Sequence, residues 1–340
     1  MKIAILSSIA WSTPPKKYGP WEQVASNICE GLLEKGMDVT LFATADSITK
    51  GRLESACVVP YEEDRAVDPK VAECLHISNL MEHAHQFDII HNHFDFLPLT
   101  YSALIKTPMI TTIHGFSSPK IIPVYKKYNA KTAYVSISDA DRSKELDYIA
   151  TVYHGIDPLI YKFRAVKEDY LLFFGRIHPE KGAHVAIEIA KRSNHRLIIA
   201  GLIQDQVYFK EKVKPFIDDD LVCYLGNLEP DRGKKLLGGS KALLHPINFE
   251  EPFGLSVIEA MMCGTPVIAF DRGSMRELIK DGKTGYLVQN VEDAVEKVGL
   301  IDNISPEYCR AHAIEKFSIN EMVENYILAY RKVLQGTNKA

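Results

Sequence analysis

The stretch from Tyr170 to Gly201, YLLFFGRIHPEKGAHVAIEIAKRSNHRLIIAG, decides how the rest of the chain is read. YLLFFGRI is a short apolar strand. A loop with Pro179 follows, KGAHVAIEIAKRS is helical, and HRLIIAG is a second strand. Toward the C-terminus, LVCYLGNL, KALLHPI and TPVIAF read as further strands. Toward the N-terminus stand KIAILSS, DVTLFAT, FDIIHNH, PMITTIHG, AKTAYVSIS and IATVYHG, short apolar or β-branched runs with helical pieces between several of them. One such piece, WEQVASNICEGLLEKG, carries Val24, Ile28 and Leu32 on one stripe, with Gly36 as its expected C-terminal cap. Alternation of this kind implies mostly parallel sheets with helices on both faces.

A chain of 340 residues exceeds the usual single domain, so two domains are expected. GIDPLIYKFRAVKED, residues 155–169, breaks the alternation with a Pro and several charges, and reads as an interdomain linker. The expected organisation is a first Rossmann-like domain over 1–154, a second over 155–318, and a C-terminal helix over 319–340. That helix, INEMVENYILAYRKVLQ, places Met322, Tyr326, Ile327 and Tyr330 on one stripe. The fold class is α/β, with two doubly wound domains whose strand carboxyl ends face one interdomain cleft. Ligands in such sheets bind beyond those ends.

Composition narrows the function. The apolar fraction of 46% supplies a core, and the net charge of −4 gives no reason to expect nucleic acid as a partner. The six cysteines are scattered without a CxxC pair, which fits a reducing cytoplasm rather than a disulfide or zinc framework. The apolar run near the N-terminus is too short for a signal peptide. Nothing approaches the roughly 18–20 apolar residues of a membrane span.

Four constellations carry chemistry. In NFEEPFGLSVIEAMMCGTPVIA, Asn248 to Ala269, acidic residues precede a Pro-Phe-Gly turn and a helix runs from Gly254 to Cys263. The open amides of a helix N-terminus make an anion site, and Gly254 permits close approach. Glu251 lies outside that site and Glu259 one turn down the helix. Carboxylates suit sugar hydroxyls, so a sugar nucleotide satisfies all three features. The plainer alternative makes Glu251 a helix-dipole partner and Glu259 a solvated residue, although the neighbours of Glu259 are almost all apolar. In FFGRIHPEKG, Arg176 and Lys181 follow a strand and suit phosphate. The alternative is an ordinary loop with an Arg176–Glu180 pair. In KKYGPWE, Lys16 to Glu22, Gly19 lets backbone approach a diphosphate, whereas Pro20 lacks an N–H and favours a simple surface turn. Finally, His91 and His93 alternate on one strand face, with His83 and His85 nearby in the chain. No carboxylate-rich motif completes a metal site there. His114, after MITTI, can contact a sugar or be a packed, satisfied histidine.

Together these segments resemble the retaining glycosyltransferases of family 4, which have the GT-B fold. EEPFGLSVIEAMMCGTPVIAFDRGSMRELIKDGKTGYLV is similar to that family's Glu-x7-Glu region, and FFGRIHPEKG to its phosphate loop. TTIHG and YHGID fit its N-terminal domain and linker, and the flavour is the short form with YGxWE in the first loop. The resemblance implies that Arg176 and Lys181 neutralise the donor diphosphate. It gives the amides of Phe253, Gly254 and Leu255 to phosphate and sugar, Glu251 to the donor-sugar hydroxyls, Glu259 to the ribose and Leu228 to the nucleobase. Gly19 and His114 would complete the site from the N-terminal domain, and the last helix would cross back onto that domain. Many members have a double glycine where this chain has Gly19-Pro20.

The expected activity is transfer of a hexosyl group, glucose or mannose, from UDP-glucose or GDP-mannose to an acceptor hydroxyl with retention. Two cations and a helix end suffice for the leaving charge, so no cofactor and no metal are expected. The acceptor is a carbohydrate, a small molecule or a lipid-linked group. PPKKYGPW and SSPKIIPVYKKY can meet a membrane surface or be solvated loops. A sugar-nucleotide epimerase and a non-catalytic sugar-nucleotide-binding protein are the alternatives. A dehydrogenase is disfavoured because the first loop lacks the glycine fingerprint.

Overall fold

The computed structural model describes residues 1–16, 19–115 and 118–337. Lys17 and Tyr18 of the first loop, and Ser117 of SSPKIIPVYKKY, lie outside the described residues. Two sheets organise the chain, and every strand pair in them is parallel.

The first sheet contains β1 (Lys2–Leu6), β2 (Asp38–Phe42), β3 (Arg52–Glu54), β4 (Ile89–Asn92), β5 (Met109–Ile113), β6 (Ala133–Ser136) and β7 (Tyr148–Thr151), in spatial order β3-β2-β1-β4-β5-β6-β7. One face carries the helix Pro20–Glu34 and the C-terminal helix Ile319–Thr337, whose Val24, Ile28, Leu32, Met322, Tyr326, Ile327 and Tyr330 share a core with Ile3, Ile5 and Ile110. The other face is covered by the helix Pro69–Glu82 and by Tyr125 and Tyr134, packed on Ala4, Leu6 and Ile90. Burial on both faces explains why the central strands are continuous apolar runs rather than alternating ones.

The second sheet contains β8 (Leu171–Phe174), β9 (Leu197–Ala200), β10 (Val222–Tyr224), β11 (Ala242–His245), β12 (Val267–Phe270) and β13 (Gly285–Val288), in order β10-β9-β8-β11-β12-β13. The chain forms two compact units, Met1–Gly155 with Ile319–Ala340, and Ile156–Ser318. In each sheet the order reverses once, between β1 and β4 and between β8 and β11. Those reversals open the crevice in which doubly wound sheets hold ligands.

Sequence patterning missed β3 and β13. Both are edge strands: RLE has no apolar run, and GYLV starts on a glycine at φ +157°. A larger correction concerns residues 155–169. From Ile156 onward this segment is irregular, yet it is bound firmly into the second unit instead of running free as a linker. Ile156 bridges Ser318, Arg164 N donates to Cys263 O (3.1 Å), and Glu168 N donates to Gly239 O (2.8 Å). Lys167 Nζ donates to Gly238 O, Cys263 O and Thr265 Oγ1. Burial lowers the Lys167 pKa to about 8, so those three acceptors hold a charge that a free linker would leave in water. All six cysteines are free thiols, and among the described residues no helix is long and apolar enough to cross a membrane.

Candidate active site

The second unit builds its site where β8 and β11 lie side by side. After β8 the chain makes a single 3-10 turn, Pro179–Lys181, and enters the helix Ala183–Ser193 through Gly182. From His245, the last residue of β11, it runs through Pro246 and Asn248 to the Pro-Phe-Gly turn. The two loops are joined. Asn248 N donates to Glu180 O (2.9 Å), and Gly182, at φ +75°, packs so that a Cβ would stand 2.1 Å from Pro246 O. Only glycine permits that approach in that conformation.

This contact sets Lys181 against Glu251, 70 residues further on. Lys181 Nζ donates to Glu251 Oε2, and the two side chains are only 15% and 10% exposed. The dipole-partner reading of Glu251 is thereby replaced by a buried ion pair. His245 Nε2 lies 3.5 Å from the same oxygen without completing a hydrogen bond. Burial raises the Glu251 pKa, but His245 and the Lys181 ammonium outweigh it and hold the carboxyl below its ordinary range, at about 2. We assign the larger part to Lys181, because burial also lowers the His245 pKa and leaves that ring neutral at pH 7. Both contacts fall on Oε2 of the carboxylate.

Glu251 also leads into the helix Leu255–Met262, with Gly254 at its N-cap and φ +99°. The N–H groups of Gly254 and Leu255 open this helix, where no intrahelical acceptor exists. Phe253 is buried with its ring against Phe317 (6.2 Å). Gly273 N donates to Glu250 Oε2 (2.6 Å) and Ser274 N to Glu251 O (3.0 Å), so the DRGS turn braces the acidic loop from behind.

One turn on, Glu259 is half-buried and partnered rather than a freely solvated residue. Tyr161 Oη donates to its Oε1 (2.6 Å), and Lys234 Nζ sits 6.0 Å from the Tyr161 ring. Burial raises the Glu259 pKa, and Tyr161 and Lys234 partly offset it. Tyr161→Phe removes the one neutral donor to this carboxylate seen among the described residues. We expect a loss of about 1–3 kcal/mol, seen as a lower melting temperature, together with weaker nucleotide binding.

Arg176 does not pair with Glu180. Its Nη1 donates to Gln204 Oε1, while Glu180 lies 3.6 Å from His178. Leu228 is half-buried in the loop between β10 and the helix Pro230–Gly239. The remaining candidates belong to the first unit. Gly19 is the N-cap of the helix Pro20–Glu34, where Pro20 at the first position costs no hydrogen bond. His114 follows β5, and Trp21 stacks on it at 5.4 Å and 19°. His91 and His93 are fully buried, His83 and His85 exposed and elsewhere. Among the described residues, no group of three metal-type ligands occurs.

Sequence reasoning missed His245, Tyr161 and Lys234. KALLHPI ends a strand on a histidine as MITTIH does, and that signal would have found His245. Tyr161 was hidden inside a segment read as linker.

The doubly wound scaffold that carries these residues has matches among known families and solved structures. The model for Glycosyltransferase Family 4 matches residues 21–158, and that for Glycosyl transferases group 1 matches residues 161–315. The structure of AviGT4, a glycosyltransferase involved in avilamycin A biosynthesis, is similar with a TM-score of 0.74 and 25% identity over 98% of both chains. HepE of Anabaena, solved with UDP, has a TM-score of 0.74 at 19% identity over 98% of this chain and 100% of that one. An uncharacterized 41.2 kDa protein in the cps region of Klebsiella pneumoniae is 33% identical over 168 residues, 47% of this chain. That match spans 46% of the relative, about half its length. The chain belongs to the group 1, family 4 type of glycosyltransferases with the GT-B fold.

Proposed function

We propose that this glycosyltransferase moves a hexosyl group from a nucleoside diphosphate sugar to an acceptor hydroxyl, with retention and without a metal. The observation that carries the reading is the buried Lys181–Glu251 pair beside the N-terminus of the helix Leu255–Met262. Charge develops on the leaving diphosphate as the glycosidic bond breaks. Lys181, Arg176 and the Gly254 and Leu255 amides supply fixed positive ends in one unit, which is the kind of preorganised stabilisation that lowers such a barrier. Glu251 is tied through Oε2 to Lys181, which favours holding sugar hydroxyls through Oε1 over attack on the sugar. The acceptor hydroxyl then attacks the face the diphosphate leaves, and the leaving phosphate takes its proton. Glu259 serves the ribose and Leu228 the base.

UDP-glucose and GDP-mannose are the donors to try first. The UDP seen in HepE supports starting with uridine. The acceptor is a carbohydrate, a small molecule or a lipid-linked group, and the setting is cytoplasmic. Calorimetric titration with UDP, GDP, ADP and their common sugars in EDTA tests donor class and metal independence together. Binding that needs added magnesium removes the metal-free part. Product NMR then reads the anomeric configuration, and an epimerised donor in place of a new glycoside removes the transfer reading. Lys181→Ala is expected to weaken nucleoside diphosphate binding about 10–100-fold, the loss of one charge-assisted contact. Unchanged affinity would show that the ammonium does not face phosphate.

A further inference from the structure

In the second unit one carboxylate oxygen faces two nitrogens. Glu251 Oε2 accepts from Lys181 Nζ, and His245 Nε2 lies 3.5 Å from the same oxygen. The His245 ring is only 6% exposed, and its Nε2 is buried with no hydrogen-bond partner among the described residues. A buried polar atom left in this way is uncommon in a folded chain. Lys181 is the less committed of the two. Its ammonium has three protons, one of which goes to Glu251, and it also stands 4.9 Å from the centre of the Phe249 ring.

We propose that His245 is a second anchor for Glu251: its Nε2–H closes onto Oε2 when Lys181 is drawn to a ligand phosphate, and the carboxylate keeps its place. The inference rests on the proposed reading that Lys181 meets the donor diphosphate. Without ligand the pair is balanced, one ammonium to one carboxylate. A phosphate brings further negative charge to that same ammonium. The Glu251 side chain is only 10% exposed, so water cannot replace the share of the cation it gives up. A buried charge left without its partner is strongly unfavourable. A ring movement of roughly 0.6 Å brings His245 Nε2 to ordinary hydrogen-bond length from Oε2 and supplies the missing donor.

The charges around the ring give this exchange a signature. Burial lowers the His245 pKa, Glu251 raises it, and the Lys181 ammonium lowers it. The charged groups on the elements beside β11 are engaged with other partners. Arg176, beyond β8, donates to Gln204; Asp271, beyond β12, pairs with Arg276; Glu259, on the helix Leu255–Met262, accepts from Tyr161. Sharing or removing the Lys181 charge therefore leaves Glu251 to act on His245 with less opposition, and the imidazole takes up a proton more readily.

His245 is a positioning residue, because it reaches a ligand only through Glu251. The test is a pH series of long-range 1H–15N correlation spectra on histidine-labelled protein, with His245 assigned by its loss in His245→Gln. In Lys181→Met, where no ammonium competes, the His245 midpoint is expected about one pH unit or more above wild type, with Nε2 protonated. In Lys181→Met/Glu251→Gln the midpoint is expected to fall back, which loosened packing alone would not produce. Wild type saturated with UDP, GDP or ADP, whichever binds, is expected to show the same upward movement. A His245 that titrates alike in wild type and in folded Lys181→Met, or that a bound nucleoside diphosphate leaves unmoved, overturns the inference. If Lys181→Met does not fold, the nucleotide titration decides by itself. Failure of all three nucleotides to bind counts against the donor reading instead, and the ligand-free titration of Lys181→Met still decides whether His245 anchors Glu251.

Discussion

Glu251→Gln is expected to lower transfer by about 100-fold or more while nucleoside diphosphate binding stays within a few-fold. The amide keeps the shape of the side chain but loses the charge that Lys181 meets at Oε2. It also turns one acceptor oxygen into a donor, which would reverse the match to the sugar hydroxyls proposed to bind there. A variant with full transfer toward a good acceptor would remove Glu251 from the mechanism. Stability provides an independent reading. The folded-state pKa of Glu251 is depressed to about 2 from 4.5. Its contribution to stability is therefore complete above about pH 4.5 and is lost as pH falls toward 2. Wild type and Glu251→Gln should diverge in melting temperature near pH 6 and converge near pH 2. A constant difference across that window would mean that Glu251 is not held ionised by its surroundings. Because removal of one partner strands a buried ammonium, Glu251→Gln is compared with Lys181→Met/Glu251→Gln, in which no charge is left unpaired.

Gly182→Ala is expected to cost about 3 kcal/mol or more and to damage the site at the same time. Two effects add. Alanine is strained at φ +75°, and its Cβ would meet Pro246 O at 2.1 Å, a backbone atom that cannot swing aside. The second unit answers only by moving the Pro179–Lys181 turn away from the loop after β11. That separates Lys181 from Glu251. A fall in melting temperature of about 6–12 °C with loss of donor binding is the expected result. A stable Gly182→Ala that binds donor normally would show that the two loops are not registered by this contact.

Much of this arrangement was legible beforehand. Eleven strands announced themselves as apolar runs, because a parallel sheet covered on both faces tolerates little else. Arg176, Lys181 and Glu251 stood out as charges placed just after strands, where neither burial nor helix propensity explains them. The missed strands, β3 and β13, are edges, and an edge strand needs less apolar sequence than a central one. The 155–169 segment lacks periodicity, so its docking through Tyr161 and Lys167 left no local trace.

By itself, then, the sequence determined two doubly wound units, the carboxyl ends where chemistry belongs, the family, and the residue types offered to a ligand. Periodicity and strand-end position are local properties, and a single chain displays them. The tertiary structure alone decided which of those residues meet. Lys181 and Glu251 are 70 residues apart, Tyr161 and Glu259 98, and Tyr330 and His91 239. Those pairings rest on strand order and on a glycine fitting against Pro246, and neither is encoded within the short spans over which a sequence pattern can be read.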